Sequence, residues 1–283
     1  MKFGVALGRC SPRAWTDVVD TAEHLGYESV WMPEHLVLPT TMSSSPTPGD
    51  DHPPVPPTTQ VFDVFAYLSH IAARTSSVRL GTHVYNLGLR HPFVAARAVQ
   101  TLDVLSDGRV EFGIGAGWLA QEWAAAQLDF STRGRRLDES IEICSRLWSE
   151  EVVEHHGEFF DFAPVMFEPK PIQQPRPPVL VGGESDAALR RAARAGDGWI
   201  GMEHDQASAE LVITRLAALL EENGRSPDGF QICLGGAVSG TDDVEAWEAI
   251  GVTRLIVSPW SSSREAVEGL ERFATLVGLV PPA

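Results

Sequence analysis

An α/β chain that closes into one (β/α)8 barrel is the fold class this sequence predicts, on three observations. Eight short apolar runs alternate with eight helical stripes, and that unbroken count favours a closed parallel barrel over an open sheet. The length of 283 residues suits the ~250 that such a barrel needs, so residues 1–283 are read as a single domain. Residues 78–117 read as strand, helix and strand with a short crossover, which is a parallel, right-handed unit.

Each element has a local reason. Residues 5–7 form a short apolar strand, and Ser11-Pro12 opens a helix striped by Trp15, Val18, Val19, Ala22 and Leu25, which Gly26 stops. The second strand, 29–32, ends at Pro33-Glu34-His35. From 39 to 59 the composition shifts to Pro, Ser, Thr, Asp and Gly, and periodic structure resumes at 61–74. A structureless loop of that length inside a compact fold reads as a lid over a site, with the prolines at 53–57 stiffening it. Strand three spans 78–84, and Phe93, Ala96, Val99 and Leu102 stripe the helix before strand four, 110–114.

The next helix follows Arg133-Gly134-Arg135-Arg136 and carries Leu137, Ile141, Cys144 and Trp148 on one face. Residues 152–155 and 159–162 flank Gly157 as a small hairpin before strand five, 179–181. Its helix turns Leu189, Ala192 and Ala193 inward and ends at Gly196. Strands six, seven and eight fall at 198–200, 230–234 and 254–257. Their helices are striped by Leu211, Leu216 and Leu219, then by Val244, Trp247 and Ile250, and last by Ala266, Leu270 and Phe273. Asp242-Asp243 is placed as the cap of the second of these.

Composition narrows the function. A net charge of −16 argues against nucleic acid or an anionic membrane as partner, and Lys2 and Lys170 are the only lysines. Phosphate contacts would therefore come from arginines, hydroxyls or backbone amides. Cys10, Cys144 and Cys233 are far apart with no paired spacing, which suggests reduced thiols in the cytoplasm. The first residues lead straight into an apolar strand, and no run of ~20 apolar residues occurs, so neither a signal peptide nor a membrane span is expected.

Barrel chemistry sits at the carboxyl ends of the strands. Glu34 and His35 follow strand two, and an imidazole suits acid or base chemistry because its unperturbed pKa lies near working pH, although a lone histidine also serves as packing. His83 and Val84 end strand three. The glycine-rich end of strand four, with Gly115, Ala116 and Gly117, lacks the G-x-G-x-x-G spacing of a nicotinamide loop and leaves room for a flat ring. Gly182, Gly183, Glu184 and Ser185 open the helix after strand five, where exposed amides and a hydroxyl make an anion site, with a simple N-cap by Ser185 or Asp186 as the plainer role. Arg90, Arg133, Arg135 and Arg136 are candidates for a phosphate or an acidic tail, against solvated helix-end arginines. His52, His155 and His156 have no ligand-spaced partners, so no metal site is expected, and no Ser-His-Asp or G-x-S-x-G arrangement occurs.

Leu80-Gly81-Thr82, Leu89-Arg90-His91-Pro92, the run 102–109 and Gly113-Ile114-Gly115-Ala116-Gly117-Trp118, in that order and spacing, closely resemble the bacterial luciferase-like monooxygenase superfamily. Within it the resemblance is to the branch that uses the deazaflavin coenzyme F-420, and it runs from Met1 to about Trp260. The resemblance implies that His35, in the family's Glu/Asp-His pair with Glu34, meets the flavin-type ring and acts as acid or base. It implies a cis peptide between His83 and Val84 backing that ring, the cofactor phosphate at Gly182 to Ser185, and a homodimer. It further implies hydride transfer between F-420 and a small organic substrate. The alternatives are an FMN-dependent monooxygenase using oxygen and a non-catalytic flavin-binding protein. One sugar-phosphate dehydrogenase branch has a catalytic glutamate where this chain has Trp118, which counts against that reaction; Glu122, one turn on, is the nearest carboxylate.

Overall fold

The structure, a computed structural model, describes residues 1–42, 45 and 55–281. Most of residues 39–59, read as a lid, lies outside the described residues, as do His52 and the first two prolines of the 53–57 run.

Eight parallel strands close into a barrel. They are β1 (Lys2–Ala6), β2 (Ser29–Met32), β3 (Arg79–Thr82), β5 (Val110–Gly115), β8 (Val179–Gly182), β9 (Gly198–His204), β10 (Gln231–Gly236) and β11 (Arg254–Val257). Each pairs with the next, β3 pairs with β5, and β11 pairs back onto β1, with Phe3 opposite Leu255. A two-residue β4 (Tyr85–Asn86) extends β3 beyond an interruption and pairs with β5. Residues β6 (Val152–His156) and β7 (Asp161–Met166) form an antiparallel hairpin outside the barrel. The ring of helices is α1 (Trp15–Leu25), α2 (Val64–Ala72), α3 (Pro92–Leu105), α4 (Ala120–Ala125), α5 (Arg133–Ser149), α6 (Asp186–Ala195), α7 (Gln206–Glu222), α8 (Thr241–Ala249) and α9 (Ala266–Val277).

Several boundaries differ from the sequence expectations for local reasons. Leu7 begins a short 3-10 turn, so β1 lies earlier than 5–7. Asp63 caps α2 by accepting the Ala66 N–H at 2.8 Å, so the helix starts there rather than at Val61. Gly157 N–H donates to Phe160 O, and Glu139 accepts from the amides of Phe159 and Phe160; that tight turn moves β7 to 161–166. Asp242 and Asp243 sit in the first turn of α8 and do not cap it: Gly240 is the N-cap, and Asp243 accepts from Ser239 N and Oγ.

Two apolar layers hold this together. The larger fills the space between strands and helices; the smaller, inside the barrel, consists of Trp31, Leu180, Ile200, Cys233 and Ile256, with Ala6 and Val84 packed on it. Trp31 dominates that interior, and its neighbours on the flanking strands are glycines because nothing larger fits. A Cβ on Gly81 would lie 2.3 Å from the indole, and one on Gly4 would lie 2.5 Å from its Nε1. Below Trp31 the strand starts carry charge: Arg254, fully buried, donates to Glu28 at 2.6 and 2.8 Å and to Gln231 at 2.7 Å, and lies 3.4 Å from Glu111. Above it the barrel opens.

Candidate functional site

A cavity of about 820 Å³ occupies the carboxyl-end mouth. Of the four candidate arginines, Arg133 and Arg135 line it and Arg90 and Arg136 do not. It is also lined by Glu34, His35, His83, Val84, Gly115, Ala116, Gly117, Gly182, Gly183, Glu184 and Ser185, all named from the sequence. The strand ends β2, β3, β5 and β8 deliver them, since these strands are neighbours in the barrel order.

The two polar residues after β2 part company. Glu34 is buried, and its carboxylate accepts from Asn86 N at 2.9 Å and is gripped by both terminal nitrogens of Arg90. Burial raises its carboxyl above the ordinary range, with the Arg90 guanidinium opposing that rise. Glu34, although placed beside His35 as a catalytic candidate, thus ties the end of β2 to the turn after β4. Arg90, a candidate for the cofactor phosphate, is spent on the same pair and on Asn86 O.

His35 turns the other way. Its Nδ1 lies 3.0 Å from Oε2 of Glu122, whose side chain is 1% exposed. The second oxygen of Glu122 accepts the amides of Leu36 at 2.6 Å and Val37 at 3.3 Å. Trp118 meets the imidazole edge-on, centroids 5.8 Å apart. Nothing in the sequence joins Glu122 to His35: 87 residues separate them and no spacing rule links them.

The His83–Val84 peptide is cis, at the position the resemblance implied. Burial, with Arg9 adding to it, pushes the His83 imidazole down to about 4, so it stays uncharged near neutral pH. Val84 explains the glycines around it. A Cβ on Gly115 would lie 2.7 Å from one Val84 methyl, and one on Gly182 would lie 2.9 Å from the other. The small residues at the strand ends therefore seat Val84, where the sequence reading had them make room for a ring directly.

At the far end of the cavity α6 begins. Ser185 is its N-cap and accepts the Ala188 N–H at 3.2 Å. Gly183, at φ 119° in a conformation few side-chain-bearing residues adopt, donates its own N–H to Ile200 O and so is taken by the barrel. Ala188 N–H, in the first turn of α6, is likewise taken, by Ser185 O at 2.8 Å, so the amides that an anion could meet are those of Asp186 and Ala187, which have no acceptor within the helix. Glu184 faces β9, accepting Met202 N at 2.6 Å with His204 at 3.3 Å. Arg133, Arg135 and Arg191 line this same end. Arg191 was missed by sequence; it bridges α6 to α5 through Asp138 and Gly134 O. Arg136 instead reaches Gly88 O. His155 is held by Glu139 and His156 by Asp161. Among the described residues no helix is long and apolar enough to cross a membrane.

The fold and its mouth define a (β/α)8 barrel with a polar, histidine-bearing cavity at the carboxyl ends of its strands. The luciferase-like monooxygenase family model matches residues 1–273, and the chain belongs to that family. It is accordingly an enzyme of the oxidoreductase or monooxygenase kind. A Mycobacterium tuberculosis protein is 33% identical over 258 residues, 89% of this chain and 90% of that one. An F-420-dependent glucose-6-phosphate dehydrogenase of Segniliparus rotundus is 30% identical over 268 residues, 92% of this chain and 73% of that one. Among solved structures, a monooxygenase from Streptomyces bottropensis superposes with TM-score 0.68 at 26% identity, covering 98% of this chain and 80% of that one. An F-420-dependent secondary alcohol dehydrogenase in complex with an F-420–acetone adduct superposes with TM-score 0.79, covering 99% and 98%; at 15% identity this likeness shows the fold alone.

Proposed function

We propose that this enzyme transfers a hydride between coenzyme F-420 and a small uncharged alcohol or carbonyl compound at the barrel mouth. The observation that carries the reading is His35, braced by Glu122 at 3.0 Å on the wall of a cavity whose far end is the start of α6. The residues present fit such a cofactor. Val84, Ala116 and Ile200 give a flat group an apolar floor, and the first-turn amides of α6 with Ser185 suit its phosphate. Arg133 lies on that side for the acidic tail, beside Arg135, which Glu158 already pairs at 2.9 and 3.0 Å. When bound, the deazaflavin supplies a ring carbon that carries the hydride. His35 holds or takes the proton at the substrate oxygen, and Trp118 and the apolar floor exclude water there.

The substrate class follows from charge. No lysine or arginine occurs between Arg13 and Arg74, a stretch that includes the whole loop after β2. The arginines on the cavity wall stand at its phosphate end. A phosphorylated substrate beside His35 would have no cation to meet it there, and Trp118 replaces the glutamate of the sugar-phosphate branch. The relatives named F-420-dependent support the choice of cofactor.

One finding favours FMN with oxygen instead: the likeness to a monooxygenase at 26% identity. Titrating the apoprotein with F-420 and with FMN, then assaying each complex against a panel of alcohols and carbonyls, decides between them. The expected result is F-420 binding at least about tenfold tighter and substrate-dependent reduction of F-420 without oxygen uptake. Tighter FMN binding with oxygen consumption would replace this reading. The proposal extends to a homodimer in the cytoplasm. The apolar groove between α2, α3 and the hairpin, where Val94 and Met166 are exposed, supports the former, and sedimentation tests it.

A further inference from the structure

We infer that Glu122 is a positioning residue that decides which nitrogen of His35 faces the cavity. The inference rests on the role proposed for His35 and names the residue that sets it. Three nitrogens converge on this one buried carboxylate: His35 Nδ1 and the amides of Leu36 and Val37, which donate to it. An ionised carboxylate only accepts hydrogen bonds, so the hydrogen between it and the imidazole sits on Nδ1. In the uncharged ring the lone pair is then on Nε2, the nitrogen left for the substrate. His35 is thereby set to accept a proton, not to donate one. The two backbone amides matter as well. They keep the anion satisfied in a buried place, and they fix the first two residues of the long loop to the same carboxylate that fixes the histidine.

Glu34 cannot substitute, since Arg90 and Asn86 N take its oxygens. Trp118, edge-on to the ring, limits its rotation from the other side. Glu122 itself comes from the first turn of α4, a short helix that the fully buried Trp123 anchors.

Glu122→Gln is the informative variant, because the amide oxygen still accepts from Leu36 and Val37 while its NH2 can only donate to His35. The proton should then move to Nε2. With histidine labelled by nitrogen-15, in cofactor-free full-length protein at alkaline pH, long-range proton–nitrogen spectra report the tautomer directly; His35→Gln identifies the signal. The wild type should show a protonated Nδ1, Glu122→Gln a protonated Nε2, and Glu122→Asp, which keeps the charge, the wild-type tautomer. In turnover, Glu122→Gln should lower kcat ~10²–10⁴-fold, as a wrong tautomer does in other histidine-dependent enzymes. KM and the F-420 dissociation constant should stay within about threefold, and Glu122→Asp should recover part of kcat. A wild-type ring protonated at Nε2, an unmoved tautomer in Glu122→Gln, or an unmoved kcat would overturn the inference. If the wild type turns over no alcohol or carbonyl, the proposed reaction fails while the nitrogen signals still decide the role of Glu122.

Discussion

The two ends of the barrel use the same residue types to opposite purpose. At the amino end, Arg254 and Arg79 meet Glu28 and Glu111, and Gln231 and Gln173 complete the pairing. Burial opposes charge on Glu28, but the Arg254 guanidinium outweighs it and holds the carboxyl below the usual range; Arg254 is held above its own. At the carboxyl end, His35 and Glu122 are equally anchored on one side, yet the imidazole keeps a face on an open cavity. A closed network stabilises only if all its members stay, whereas a half-open one leaves a group free to react. Trp31, filling the middle, separates the two.

The comparison is broken most severely at the bottom. Arg254→Met takes from Glu28 its bidentate guanidinium, leaving only Lys2 at 3.4 Å, and takes from buried Glu111 one of its two arginines; it should cost about 3–5 kcal/mol in denaturant unfolding. A loss under about 1 kcal/mol would mean that the network is ornamental. Gly81→Ala should cost about 1–3 kcal/mol by driving a methyl into Trp31, and it should disturb both ends, since the indole lies between them. Unfolding curves together with cofactor titration check this: a variant as stable as the wild type would show that the indole yields freely.

Legibility follows the same division. The strand count and the mouth residues could be read because strand ends, glycines and the Glu-His pair keep a linear signature, and each of them reaches the cavity wall. The network below has none: Arg254 and Glu28 are 226 residues apart, and nothing in either neighbourhood announces the other. Glu122 is the same case at the mouth. Its contact to His35 depends on where α4 lands after the turn at Gly117, which no periodicity encodes. The role of the small residues beside Val84 was hidden as well, because Gly115 and Gly182 lie on different strands and meet through a third.

Smaller effects sharpen the contrast. Ser185→Ala should weaken F-420 binding by roughly 1–2 kcal/mol if its hydroxyl meets the phosphate, and an unchanged dissociation constant would leave Ser185 as the cap of α6 alone. The smallest concerns Glu23, near the amino end. Burial opposes its ionisation, but hydrogen bonds from the amides of Ser76, Ser77 and Val78 and from Ser76 Oγ win, and its carboxyl falls to about 2. A depressed carboxyl contributes stability above its unfolded value of about 4.3, and that contribution is lost as pH falls towards 2. Glu23→Gln should therefore be less stable at neutral pH, and its stability should fall less steeply between pH 4 and 2; parallel acid limbs for the two proteins would contradict this.

The division of labour itself is tested most directly at His35. On His35→Ala, F-420 binding and single-turnover hydride transfer are measured on the same preparation, at saturating cofactor. The predicted result is a dissociation constant within about threefold of wild type, because the contacts proposed at α6 and beside Val84 do not involve His35, with a transfer rate lower by ~10²–10⁴-fold. A normal transfer rate at saturation would contradict the account, whatever had happened to binding.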